Sequence, residues 1–192
     1  MQFPDHVLTS VVDDLDQETM VHCRRVEFLV LTIGKLMELT SAELSQLSLG
    51  AYIHDVGKKC VPEAILKKKG PLTPQEWDII EMHPKWGYDV AASLGLSETA
   101  KRIVLEHHLW ANGQGGYPQE LIGTKPSLLT QITTVADVFD AMINHRPYRS
   151  ALSTVSAMEY LTGNVGTRFN EDVVATFEAK IFPSFRIPAG GI

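Results

Sequence analysis

Residues 51–59 read Ala51-Tyr-Ile-His-Asp-Val-Gly-Lys-Lys59, and the other motifs of the chain take their meaning from this stretch. His54 and Asp55 are adjacent, with Lys58 about one helical turn further on. Read as helix, positions three and four apart share a face, so Lys58 is expected over both. A neutral imidazole and a carboxylate are good ligands for a divalent transition ion. Side by side they offer two coordination bonds from one element, and the carboxylate's second oxygen can bridge to a second ion. A nearby lysine adds positive charge where a phosphate oxygen needs it. Alone, the stretch also fits an ordinary helix end, since Gly57 and Lys58 are common helix-stop residues. The metal reading therefore depends on further ligands elsewhere.

Upstream, residues 16–39 carry His22, Val26, Leu29, Ile33 and Leu36 at helical spacing, which predicts one long amphipathic helix with Glu18 one turn before His22. Thr40 and Glu43 form a capping box that opens a second helix, with Leu44, Leu47 and Ile53 running into the His-Asp pair. Downstream, Val61-Pro62 breaks the chain and 63–68 is a short helix with a basic end. Gly70-Pro71 is a turn. Thr73 and Glu76 make another capping box with Pro74 at the first helical position. That helix runs towards His83-Pro84, where the proline bends or restarts it, and 87–94 is helical again.

Ser97 caps a helix with Ile103 and Val104 inward that ends in Glu106-His107-His108. Residues 112–118, Asn-Gly-Gln-Gly-Gly-Tyr-Pro, form a glycine-rich loop. A strongly apolar helix over 127–144 places Val135, Val138, Phe139 and Met142 around Asp137. Residues 145–149 are a loop, and helices over 153–161 and 170–180 close the chain. No strand-like alternation, internal repeat or low-complexity linker is present. The expected fold is all-α.

With 192 residues, 44% hydrophobic and 21% charged, the composition is that of an ordinary globular protein. A single domain is expected over 1–192, with a metal-site core over about 18–145 and closing helices over about 150–182. A net charge of −6 argues against a nucleic-acid polymer as partner; it leaves room for a locally positive pocket for one nucleotide. The two cysteines, Cys23 and Cys60, are too few for a disulfide scaffold. No apolar run approaches the roughly 18 to 20 residues of a membrane span, and the first residues lack signal character. A soluble cytoplasmic protein is expected.

Five of the seven histidines occupy suggestive places: His22, His54, His83, His107 and His108. A single buried histidine is usually structural. Five of them, together with Asp55 and Asp137 in apolar surroundings, strain that reading, because an unpaired buried carboxylate is costly. Metal ions remove the cost for the whole set.

These residues carry a resemblance. His22, His54-Asp55 followed by Gly57-Lys58, His83, His107-His108, Gly115 to Pro118, Asp137, and Arg146-Pro-Tyr-Arg149 together resemble the HD-GYP family. This is the branch of HD-domain metal phosphohydrolases that hydrolyses cyclic di-GMP, and the match covers nearly the whole chain. The resemblance implies an HD-domain helical bundle and a di-metal centre bridged by Asp55. One ion would be held by His22, His54 and Asp137, the other by His83, His107 and His108. Some members hold a third ion through a glutamate one turn before the first histidine, a place that Glu18 matches. Glu18 also fits an ordinary first-turn carboxylate favoured by the helix dipole. The family uses iron or manganese.

The implied chemistry is attack of metal-activated water on a phosphodiester, with Asp55 and Lys58 as catalytic residues and the ions neutralising phosphoryl charge. Lys58, Arg146 and Arg149 resemble substrate-binding positions, where guanidinium groups suit phosphate and guanine. They also fit ordinary surface cations. The product would be pGpG, and onward GMP. The chain departs from the family pattern at Leu109, where glutamate is usual, at Asn112, where aspartate is usual, and in one extra glycine ahead of Tyr117. None of these is an inferred metal ligand; they bear on the loop that in the family is associated with diguanylate cyclase (GGDEF) domains. Two competing readings are an HD hydrolase of another nucleotide, such as a mixed cyclic dinucleotide, and a weakly active, metal-bearing cyclic di-GMP sensor or interaction module.

Overall fold

The computed structural model describes residues 15–145 and 150–185. Among them are nine α-helices, three short 3-10 turns and no β-strand beyond two isolated bridges. The fold is helical, as the periodicity predicts.

Helix α1, Gln17–Leu36, starts where the Asp16 carboxylate accepts from the Thr19 N–H at 3.1 Å, the usual N-cap bond. Its buried stripe is His22, Cys23, Val26, Leu29, Val30 and Ile33. The helix stops three residues earlier than the periodicity predicts. Glu38 takes φ +59°, and the Leu39 N–H turns back to the Gly34 carbonyl at 3.0 Å. This is the left-handed C-terminal closure that usually falls to glycine. Helix α2, Ser41–Tyr52, begins with the Thr40–Glu43 capping box and packs along α1.

The sequence reading places His54 and Asp55 on a helix; the structure corrects this. Helix α2 ends at Tyr52, and the pair lies in the turn that leads into a 3-10 turn, Val56–Cys60. Close packing explains the change. A Cβ on Gly57 would sit 1.9 Å from the His83 carbonyl oxygen and 2.5 Å from the Gly87 nitrogen. Only a glycine lets the backbone leave the α2 axis and press against the helix that carries His83.

Helices α3 (Glu63–Leu66) and α4 (Pro74–Ile80) follow, the latter with the expected Thr73–Glu76 capping box. The chain restarts as α5, His83–Ser93, with Pro84 in its first turn, where a missing N–H costs nothing. Helix α6, Glu98–Glu106, is capped by Ser97, and α7, Leu128–Ile143, by Ser127. Helices α8 (Thr154–Thr162) and α9 (Glu171–Lys180) close the far side of α7.

Two apolar clusters result. The larger holds Val26, Ile33, Leu47, Ile103, Phe139 and Phe177; the smaller holds Cys23, Ile53, Val56, Ala91 and Val104. Each such side chain contributes roughly 1.5–3 kcal/mol on burial, and truncating Phe139 to alanine costs about 3–5 kcal/mol. Helices α1 and α6 and the end of α2 feed both clusters. The buried polar residues sit on α1, the turn after α2, the start of α5, the end of α6, and α7.

Candidate metal centre

His22, His54, Asp55, His83, His107 and Asp137 are all buried, and His108 is half-buried. They arrive from α1, the turn after α2, the start of α5, the end of α6 and the middle of α7. Three overlapping sets each bring ligand atoms within 4.8 Å of one another: His22, His54 and Asp55; Asp55, His83, His107 and His108; and His54, His107 and Asp137.

Four of the rings are fixed in the same sense. The Nδ1–H of His54 donates to the Ala51 carbonyl at 2.7 Å, that of His83 to the Ile80 carbonyl at 2.7 Å, and that of His107 to the Val104 carbonyl at 2.8 Å. In each case the acceptor lies three residues back, at the end of a helix where a carbonyl is spare. His22 instead donates Nδ1–H to Asp140 Oδ2 at 2.7 Å. Every neutral ring therefore points a bare Nε2 inward, the arrangement a metal-ligating histidine needs.

Those inward atoms do not satisfy each other. Nε2 of His83 lies 3.3 Å from Nε2 of His107 and 3.2 Å from Asp55 Oδ1, so lone pairs face lone pairs. His54 Nε2 and Asp55 Oδ1 are buried with no hydrogen-bond partner. Buried polar atoms are seldom left so, and a cation among them resolves the conflict. The donor set fits a metal.

Asp55 is central. Its Oδ2 lies 3.4 Å from His54 Nε2 and 3.7 Å from His22 Nε2, while Oδ1 faces His83 and, at 4.0 Å, His107. Burial pushes its carboxyl up, but the Lys58 ammonium, 2.5 Å from Oδ2, and His54 hold it well below the usual carboxylate range. Asp137 Oδ1 lies 2.9 Å from His22 Nε2, and it too is held well down, against burial, by His22 and His54. Burial and the neighbouring His54 and His83 push His107 down to about 3; burial with His107 and His83 pushes His108 well down. Both rings are neutral and ready to ligate at neutral pH.

Two participants escape the sequence reading. Asp140 takes a bidentate grip from Arg25, with Nε at 2.7 Å from Oδ1 and Nη2 at 2.9 Å from Oδ2. It thereby becomes the group that orients His22. The available signal was the spacing of Asp137 and Asp140, which puts both on one face of α7, and of His22 and Arg25 on α1. The backbone carbonyls that orient the other rings have no sequence signal.

The loop departures are accommodated. Leu109 is buried, and pairs with Gly116 in an isolated bridge. At Gly116, with φ +90°, a Cβ would fall 2.0 Å from the His108 carbonyl oxygen, so the loop needs glycine there. The loop lays the Tyr117 ring on His108, with centroids 4.3 Å apart.

A cleft of about 790 Å³ opens over the cluster, and His83, His108, Asp137, Lys58 and Tyr117 line it. Glu18 lies on its wall, exposed, and outside all three ligand sets. Arg146 and Arg149 lie outside the described residues. No helix among the described residues is long and apolar enough to cross a membrane.

A model of the HD domain family matches residues 6–173. The chain belongs to the HD domain family. RpfG, a cyclic di-GMP phosphodiesterase response regulator of Xanthomonas campestris pv. campestris (strain 8004), is 30% identical over 165 residues, covering 85% of this chain and 43% of that protein. The 3'3'-cGAMP-specific phosphodiesterase 3 of Vibrio cholerae serotype O1 is 32% identical over 172 residues, covering 90% of this chain and 37% of that protein. This HD-domain chain thus spans less than half the length of these relatives. The HD domain of the Listeria monocytogenes phosphodiesterase PgpH, solved in complex with cyclic-di-AMP, shares the fold with a TM-score of 0.63 over 95% of this chain and 100% of that one, at 16% identity.

Proposed function

We propose that the chain is a metal-dependent phosphodiesterase unit over residues 1–192 that hydrolyses a cyclic dinucleotide in the cytoplasm. Cyclic di-GMP is the first choice of substrate, opened to linear pGpG and then cut to GMP. The observation that carries the reading is the Asp55 carboxylate, whose two oxygens face two separate histidine pairs. In this reading His22, His54 and Asp137 would hold one divalent ion and His83, His107 and His108 a second, with Asp55 within reach of both sets. Imidazole and carboxylate donors together suit iron or manganese. Bound there, such ions supply Lewis-acid charge and bring the pKa of water towards neutrality.

The chain's own groups do the rest. The oriented Nε2 atoms fix where the ions sit, and hence where a phosphate can bind. Lys58 lines the cleft, where its ammonium would meet a phosphoryl oxygen of the substrate. Tyr117 bounds the site beside His108. Arg146 and Arg149 are assigned to the guanine and phosphate of the substrate. Glu18 is within α1 one turn from His22, and would be the ligand for a third ion if one is taken up; it stands outside the three gathered sets. The Gly115–Pro118 loop is the proposed contact for GGDEF domains.

The substrate class rests on the relatives, which are named for cyclic di-GMP and for 3'3'-cGAMP at similar identity. 3'3'-cGAMP is therefore the second reading. Protein purified without oxygen should hold about two ions per chain and hydrolyse one of the two dinucleotides with Fe(II) or Mn(II). Asp55→Ala should lose ions and at least about a thousandfold in turnover. Two bound ions with neither dinucleotide hydrolysed would overturn the substrate assignment, and absence of ions the whole reading.

A further inference from the structure

One part of the cleft wall is not used by the metal chemistry. It includes Lys67, Lys69 and Trp77. Trp77 is 45% exposed, which is unusual for the largest apolar side chain. The lysines belong to the run Lys67-Lys68-Lys69, in a chain whose net charge is −6.

The wall is built as one unit. Lys68 Nζ is 2.6 Å from Glu76 Oε2, and the same oxygen accepts the Thr73 N–H at 2.7 Å. This pins the lysine run onto the first turn of α4, which carries Trp77 immediately after Glu76. Lys67 is paired with Glu63 at the surface, at 2.6 Å. Lys69 is exposed and enters no ion pair among the described residues. The other end of α4 supplies the Ile80 carbonyl that orients His83. One short helix thus ties an aromatic plate and a free cation to a metal-facing ring.

Resting on the function proposed above, we infer that Trp77 and Lys69 form a second substrate subsite. Trp77 stacks one nucleobase, and Lys69 receives the phosphate not being cleaved. A flat indole accepts a base through its π-face without needing a hydrogen-bond code, and a lysine meets a phosphate as a point charge. A ligand with two phosphates and two bases uses both parts of the cleft wall, whereas a mononucleotide diester engages only the metal side. The subsite accordingly confers preference for cyclic dinucleotides.

The test uses the metal-loaded chain and its Trp77→Ala, Trp77→Phe and Lys69→Ala variants. Trp77→Ala should raise KM for cyclic di-GMP about tenfold, while kcat changes less than about threefold; Trp77→Phe should restore most of the loss. Rapid mixing with cyclic di-GMP should quench tryptophan emission in the wild type, and the quench should be lost in Trp77→Phe. Lys69→Ala should raise KM about two- to fivefold and flatten its dependence on salt. Unchanged KM in an active enzyme, or a loss confined to kcat, overturns the subsite and leaves the phosphodiesterase reading intact. Quenching without hydrolysis keeps the subsite and removes the enzyme reading. Neither quenching nor hydrolysis removes both.

Discussion

The two sides of the histidine cluster solve the same problem differently. On the α1–α7 side, His22 donates to Asp140, its Nε2 rests 2.9 Å from Asp137, and Arg25 grips Asp140 with two hydrogen bonds. The orienting carboxylate there is itself held by a charged partner. On the α5–α6 side, the rings of His83 and His107 commit their donors to backbone carbonyls and turn bare nitrogens on each other and on Asp55. Both sides make chemical sense around a cation; the first orients its ring through the Asp140–Arg25 pair, the second through backbone carbonyls alone. The contrast teaches that metal binding and folding are coupled unequally across one site.

Breaking the second side should have the largest effect. His107→Leu removes one of the opposed lone pairs, and the loaded protein should lose an ion and at least about a thousandfold in hydrolysis. The metal-free protein should not be destabilised, because replacing a poorly partnered buried polar group with an apolar one is often neutral or favourable. Its pH response sharpens the point. His107 is held at about 3 against an ordinary 6.5, so between those values the unfolded state binds the extra proton. Stability of the metal-free wild type therefore falls as pH drops through that window, by up to about 1.4 kcal/mol per unit from this residue. His54, pushed down by burial but held above its ordinary range by Asp55, acts in the opposite sense only above about 6.5, outside that window, in both proteins. Urea unfolding with chelator at stepped pH should show a shallower acid loss in His107→Leu; equal slopes contradict this account.

An intermediate effect is expected at Asp140. Asp140→Asn keeps the shape but weakens the carboxylate that orients His22, a change that typically costs about 10- to 100-fold in metal affinity. Graded dialysis against chelator should strip the ion nearest His22 first, leaving about one per chain, as read by elemental analysis. Simultaneous loss of both ions would erase the distinction between the sides. The smallest effect belongs to Arg25→Ala. Arg25 is 39% exposed, so solvent screening limits its loss to about 0.5–1 kcal/mol. Metal affinity should fall only a fewfold, in the same order of release as Asp140→Asn.

Much of this was legible in the residue order because helices have a local code. The Thr40–Glu43 and Thr73–Glu76 boxes, the stripe from His22 to Ile33 and the apolar run around Asp137 each follow from spacing along one element. The candidate ligands were visible for a related reason: ionisable side chains on apolar stripes are conspicuous. The path at His54–Asp55 was not visible. Leaving the helix there depends on Gly57 meeting the His83 carbonyl, two groups far apart in the chain.

The sequence by itself thus determined an all-helical chain with histidines and carboxylates on its buried faces, since 3.6-residue periodicity and capping act within a few residues. Only the tertiary structure decided how those groups are used. Which nitrogen each ring presents depends on carbonyls spared at helix ends, and on Asp140 held across the core by Arg25. Asp55 faces two histidine pairs because five segments converge on it. Packing puts those contacts together over long sequence separations, and local spacing carries no record of them.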